Sequence, residues 1–199
     1  TIGFNAQGPD PTQCKPALIP HIDTWRVLEK YYKLGKFKAI GISNFNQKQI
    51  QDLYDQAEIK PHNLQVECHI LLPQKELFEF AKKLGISFTS YATMGSPGRP
   101  SKNPDEPNPT EVPLVVELAK KYNKTPSQIL LRQMIQRGIA VIPKSTNPER
   151  LRQNSDIFDF ELTQEDLTKF NEIKLHKWLF QSFWESFAKH HPYFPFNGY

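Results

Sequence analysis

The residues that could do chemistry in this chain collect where short apolar runs end. Lys144, Ser145, Thr146 and Asn147 follow the run Ile139 to Ile142, and Arg150 stands on a helix expected to begin near Pro148. Two cations beside one helix N-terminus suit an anion such as phosphate. Free backbone N–H groups, the helix dipole and a guanidinium that bonds oxygens in pairs all act in the same direction there. The competing account makes Arg150 and Arg152 a solvated helix face. Ser43 and Asn44 follow the run Phe37 to Ile42. Their hydroxyl and amide either cap the next helix or present a mixed donor and acceptor pattern to a ligand. Tyr91 closes the run Ile86 to Tyr91, as core or as a stacking platform. His69 and Glu67, at the end of Leu64 to Cys68, read as packed or hydrogen-bonded groups rather than catalytic ones.

The elements that must position these residues follow from periodicity. Short β-branched runs alternate with amphipathic stretches, the pattern of repeated βα units around a parallel sheet. Strands are expected over Phe37 to Ile42, Leu64 to Cys68, Ile86 to Tyr91 and Ile139 to Ile142. Helices are expected over Ile22 to Leu34, Gln47 to Ala57, Gln74 to Leu84, Leu114 to Tyr122 and Pro126 to Arg137, then from Pro148 and after Leu162. Thr125 before Pro126 and Thr163 before an acidic first turn are helix starts. The segment between Tyr91 and Leu114, rich in Pro, Gly and Asn, reads as a long loop, and such loops are usually functional or disordered. Residues 1–20 read as loop, 21–174 as βα units and 175–199 as a C-terminal tail. Its aromatic residues Trp178, Phe180, Phe183, Trp184 and Phe187 either form an amphipathic helix on the sheet or line a substrate pocket.

Four strands fall short of the eight βα units and about 250 residues of a closed parallel barrel, so the chain reads as half of one (β/α)8 domain. The alternative is an independent four-stranded doubly wound sheet. Gly41-Ile42-Ser43-Asn44 is not the glycine-rich turn that such a sheet uses for nucleotides.

Composition narrows the class. With 38% hydrophobic and 23% charged residues, 199 residues make one ordinary globular domain. The net charge of +4 is scattered and not a basic block, so nucleic acid is not an expected partner. No apolar run approaches the roughly 20 residues that span a bilayer, so no membrane is expected. Cys14 and Cys68 show neither disulfide nor metal-ligand spacing, which fits a reducing, cytoplasmic setting. The polar start without methionine suits processing or a piece that begins within a longer protein.

Four ordered blocks together resemble the aldo-keto reductase family. They are Asp23-Thr24-Trp25 with Leu34 through Phe45, Gln65-Val66-Glu67-Cys68-His69, Ser90 through Pro97, and Ile142-Pro143-Lys144-Ser145 through Arg150 and Asn154. The ending His191 to Phe196 is also similar to family endings. The resemblance implies a TIM barrel with NADP(H) held at the strand ends. Ser43, Asn44 and Gln65 would hold the nicotinamide carboxamide, and Tyr91 would stack on the ring. The loop from Met94 through Ser96 to Pro100 would fold over the pyrophosphate. Lys144, Ser145, Thr146 and Arg150 would grip the 2′-phosphate, with Gln153 and Asn154 on the adenine. Two positions depart from the family pattern: Gly98 stands where a loop-tethering carboxylate is frequent, and Gln153 where Glu is common.

By the same resemblance, the complete protein reduces aldehydes or ketones as a monomer. Hydride passes from the cofactor to a small carbonyl substrate, and a tyrosine donates the proton. The Asp, Tyr, Lys and His of that chemistry are expected upstream of Thr1. None of Tyr31, Tyr32, Tyr54, Tyr91, Tyr122, Tyr193 and Tyr199 matches the acid's motif. The alternatives are a catalytically inactive, redox-sensing NADP-binding relative and a truncated fragment.

Overall fold

The computed structural model describes residues 17–99, 102 and 105–196. Residues 1–16 of the expected N-terminal loop, Cys14 among them, lie outside the described residues, as do Pro100 of the long loop and Tyr199 of the tail. In chain order come α1 His21–Lys33, β1 Gly41–Ser43, α2 Gln47–Gln56, β2 Asn63–Glu67, α3 Lys75–Lys83 and β3 Ser87–Tyr91. Then follow α4 Pro113–Tyr122, α5 Pro126–Gln136, β4 Ala140–Val141, α6 Pro148–Ser155, α7 Gln164–Lys169 and α8 Gln181–Ala188. No helix among the described residues is long and apolar enough to cross a membrane.

The strands are parallel and lie in sequential order β1-β2-β3-β4. A doubly wound sheet reverses strand order at a switch point, whereas sequential order with outer helices is an arc of a barrel. Alternation along the strands separates two faces. Ile42, Leu64, Val66 and Phe88 are buried against Trp25, Ile50, Leu53, Leu77, Ala81 and Met134 of the helices. The opposite face carries Ser43, Gln65 and Thr89 in one register row and Gly41, Asn63 and Ser87 in the next. It is small and polar: the Asn63 Oδ1 accepts from Thr89 Oγ1 at 2.9 Å and Ser87 Oγ at 3.1 Å. Gly41 is required in its row, since a Cβ there would meet the Asn63 carbonyl oxygen at 2.7 Å. A second core, under α4 and α5, gathers Leu71, Leu118, Ile129, Leu130, Leu162 and Phe170.

Helix starts follow the expected chemistry. Asn46, Thr125 and Thr163 each accept from the backbone three residues on and are capped in return by Gln49, Gln128 and Asp166. Strand limits differ from expectation. The first strand is not Phe37 to Ile42, because Phe37 packs on the surface against Tyr31, ring centres 6.2 Å apart, and pairing starts only where Gly41 meets Asn63. The last is shorter than Ile139 to Ile142: Ile139 turns into the core and Ile142 is exposed, leaving Ala140 and Val141 to pair with Thr89 and Ser90. Among its described residues the tail contains one helix, α8.

Asp166 ties α7 to α4. Its carboxylate, 1% exposed, accepts from Lys121 Nζ at 2.7 and 2.9 Å, from the Tyr122 hydroxyl and from the Thr163 N–H at 3.3 Å. Burial opposes its ionisation, but these donors outweigh that and hold the carboxyl well below the ordinary value of 3.8. A folded pKa below the unfolded one adds stability that is complete above the unfolded value and is lost as pH falls through the folded one. Asp166→Asn is therefore expected to cost about 1–3 kcal/mol at neutral pH, with the gap to wild type closing below pH 3.8. Urea unfolding at a series of pH values measures this, and a gap independent of pH contradicts it.

Candidate functional site

The C-terminal ends of β3 and β4 open onto a cavity of about 520 Å³ walled by Tyr91, Met94, Ser96, Lys144, Ser145, Thr146 and Arg150. Seven of the residues picked from sequence thus meet around one space. On one wall the chain leaves β3 through Ala92 and turns at Gly95, whose φ of 80° and approach to Pro109 admit no side chain: a Cβ would lie 2.5 Å from the Pro109 Cδ. On the other wall, Ser145 Oγ accepts from the Asn147 N–H at 3.1 Å, and Asn147 Oδ1 accepts from the Arg150 N–H at 3.1 Å. These two bonds fix the turn that starts α6. Arg152, one turn from the cavity, is paired with Glu149 at 2.8 Å. Lys144 and Arg150 form no ion pair among the described residues. The solvated-face account therefore fits Arg152, while Arg150 belongs to the cavity.

Ser43, Asn44 and Gln65 form a neighbouring group. Ser43 lies beside Gln65 in register, and Asn44, in the left-handed region at φ 57°, donates its N–H to the Gln65 carbonyl at 3.1 Å. Tyr91 joins the two groups, its hydroxyl donating to Asn44 Oδ1 at 3.1 Å. Burial, and then the charge of Glu67, push the Tyr91 pKa up, so the hydroxyl keeps its proton for that bond. Asn46 caps α2, so Ser43 and Asn44 do not. They open on a second cavity of about 400 Å³ shared with His21, Gln49, Tyr193 and Phe196.

Other expected residues stand apart. Gln153 and Asn154 lie on α6 outside the wall of the larger cavity, and the Gln153 amide donates to Glu149 at 3.0 Å. Gly98, by contrast, does line that cavity, exposed and with open space where a Cβ would stand.

Three residues that the sequence did not assign to the site belong to it. Glu67, 1% exposed, accepts from the Leu179 N–H at 2.6 Å, the Phe180 N–H at 3.2 Å and His69 Nε2 at 3.0 Å. Phe180 thereby reaches the cavity wall and meets Tyr91 edge-on, centres 5.8 Å apart. Arg99 lies over Phe180 from the opposite loop. A carboxylate inside a strand that reads as buried is the one sequence signal for such a network. Phe180, one of the tail aromatics weighed for a helix or for a substrate pocket, stands just before α8 and lines this cavity.

Comparison with known proteins now adds to this geometry. The family model described as Aldo/keto reductase family matches residues 9–175. The chain belongs to the aldo/keto reductase family. Aldo-keto reductase family 1 member A1 of Gallus gallus is 48% identical over 151 residues, 76% of this chain and 46% of that protein. Member A1-A of Danio rerio is 43% identical over 182 residues, 87% of this chain and 56% of that one. The aldose reductase of Schistosoma japonicum superimposes with a TM-score of 0.84 at 34% identity, over 99% of this chain and 59% of its own. The fold is therefore that family's TIM barrel, represented by four of its βα units. The chain spans about half the length of the curated relatives it matches.

Cys68, beside Glu67 in this family block, is fully buried, and burial pushes its thiol up to about 12. A thiol so rarely ionised and so enclosed is inert. Iodoacetamide at mildly alkaline pH is expected to leave Cys68 unmodified in the folded protein and to label it after denaturation, as peptide mass spectrometry reads. Labelling without denaturant contradicts this environment.

Proposed function

We propose that the complete protein reduces aldehydes or ketones to alcohols with NADPH, and that this chain supplies the NADP-binding half. The observation that carries the proposal is the cavity at the strand ends with Lys144 and Arg150, two cations without ion-pair partners among the described residues, beside the capped start of α6. A phosphate suits that corner, because a lysine point charge, a bidentate guanidinium and helix N–H groups are all donors. Ser145 and Thr146 add hydroxyls. Asn44, fixed by Gln65 and Tyr91, offers an amide to a carboxamide, with Ser43 and Gln65 beside it. The Tyr91 ring, fixed by its hydroxyl and by Phe180, presents a flat face for stacking. On this reading Met94 and Ser96, on the loop after β3, would hold the diphosphate, and Gln153 and Asn154, on α6, would contact the adenine.

When bound, the nicotinamide supplies the hydride that reduces a carbonyl carbon. The residues of this chain bind and orient it, a contribution made through position and electrostatics. On this reading the complete protein acts on a small carbonyl compound, as a cytoplasmic monomer, with its proton donor on the half not contained in these residues.

The test is NADPH oxidation by the full-length protein across a panel of aldehydes; absence of turnover with all of them, while NADPH still binds, favours the redox-sensing alternative. Lys144→Met and Arg150→Met are each expected to weaken NADPH binding about 10- to 100-fold, the size of one charge-assisted hydrogen bond of about 1.5–3 kcal/mol. NADH binding, measured alongside by fluorescence titration, is expected to stay nearly unchanged. Equal losses for both cofactors would overturn the placement of the 2′-phosphate.

A further inference from the structure

Two segments far apart in sequence meet on one side chain beside the larger cavity. Arg99 lies on the loop after β3 and its side chain is 5% exposed. Its Nη1 donates to the Gly95 carbonyl at 2.8 Å, and its Nη2 pairs with the nearly buried carboxylate of Glu106. Its guanidinium carbon stands 5.7 Å from the centre of the Phe180 ring. Phe180 is fixed from behind, by its N–H on Glu67 and its edge on Tyr91. One donor is left over. Arg99 Nε is buried with no hydrogen-bond partner among the described residues, and Arg99 shares the cavity wall with Lys144 and Arg150.

We infer that Arg99 is a positioning residue that joins the loop after β3 to the C-terminal segment at Phe180, and that an anion in the cavity tightens this joint through the unpaired Nε. A guanidinium can form such a joint because its edge bonds a carboxylate and a carbonyl while its face lies on an aromatic ring. A lysine can keep the ion pair but has no planar face for the ring. Glu106 compensates the buried charge, which would otherwise be strongly unfavourable. Gly98, next to Arg99, contributes no side chain, and the ion pair described within this loop joins residues 99 and 106. A buried donor without an acceptor is also unfavourable; a phosphate oxygen reaching Nε from the cavity relieves it. The second half of this inference rests on the proposed cofactor site, whereas the joint is present without any ligand.

Hydrogen exchange read by mass spectrometry on the full-length protein tests both halves, with wild type, Arg99→Ala, Arg99→Lys and Glu106→Gln, each with and without NADPH. Without ligand, Arg99→Ala is expected to speed exchange about tenfold, as loss of one charge-assisted bond would, both at 95–99 and at 178–181. The amides of β2 and β3 are expected to stay as they are. Arg99→Lys is expected to restore the loop but not 178–181. Faster exchange confined to the loop overturns the joint; if Arg99→Ala also unfolds β3, Glu106→Gln decides by the same two segments. NADPH is expected to slow exchange at 178–181 in wild type and not in Arg99→Ala. Protection that persists in Arg99→Ala, or NADPH that binds wild type without protecting 178–181, overturns the role of Nε. NADPH that does not bind wild type refutes that role together with the proposed function, while the ligand-free variants still decide the joint.

Discussion

The arrangement of this site depends on a carboxylate with nowhere else to go. Glu67 sits at the end of a central strand, out of contact with water, and a buried charge is tolerated only when its lone pairs are met. Two of its donors are successive backbone N–H groups of the tail, Leu179 and Phe180, and the third is His69 Nε2. The other nitrogen of that ring, Nδ1, is buried with no hydrogen-bond partner among the described residues. The consequence is directional. Over a hundred residues of chain separate the strand from the tail, yet the strand's need for donors dictates where the tail crosses it, and so where Phe180 stands against Tyr91.

From that fixed crossing, the remaining parts of the tail are placed by bonds that need no specific side chain on the tail itself. Asn46 Nδ2 donates to the Pro195 carbonyl at 3.1 Å and Gln49 Nε2 to the Tyr193 carbonyl at 2.9 Å. The Lys177 N–H donates to the Leu71 carbonyl at 2.8 Å. Backbone-mediated docking holds the path of the tail while leaving its side chains free to change, which suits a segment that shapes a pocket on a common scaffold. The scaffold face is correspondingly strict: Gly41 has a carbonyl against it, and Asn63 bonds Ser87 in its own row and Thr89 in the next.

How much of this was legible in the sequence follows the range of the forces involved. Helix starts at Thr125 and Thr163 were readable, because a cap is a contact between neighbours three residues apart, whereas the cap of α2 is Asn46 and not the Ser43 and Asn44 weighed for it. Tyr91, Lys144 and Arg150 were readable because parallel strands deliver their last residues to one end of a sheet, whatever the intervening helices are. The first strand was misplaced because Phe37 looks like a core residue in its own run, and only the three-dimensional position of Tyr31 shows that it packs at the surface. Glu67 was readable as a hydrogen-bonded group and Phe180 as one of several tail aromatics that could line a pocket, but their partners, and those of Arg99, were not. Each is defined by partners many residues away, and a single sequence holds no record of which distant pairs touch. Gln153 and Asn154 show the converse limit: they lie on α6, the helix expected for them, yet neither lines the larger cavity, and the Gln153 amide is bonded to Glu149 instead.

Backbone strain gathers at the same place. Three residues other than glycine take positive φ just beyond the strand ends, Asn44 at 57°, Ala92 at 56° and Ser96 at 43°. Asn tolerates this conformation, but for Ala and Ser it costs about 1 kcal/mol or more each, so the surroundings must impose it. For Ala92 they do. On its two sides Ser90 Oγ donates to the Cys68 carbonyl at 2.5 Å and contacts Thr93 Oγ1 at 2.6 Å, all of them buried. The Ala92 carbonyl then accepts from the Gly95 N–H at 2.8 Å, closing a turn. Buried hydroxyls with a single available arrangement are a stiff spring against a soft dihedral, and they win. The loop that carries Met94, Ser96 and Arg99 therefore leaves β3 in one direction, set before any ligand arrives, and the strain is the local cost of pointing it at the cavity rather than along the strand.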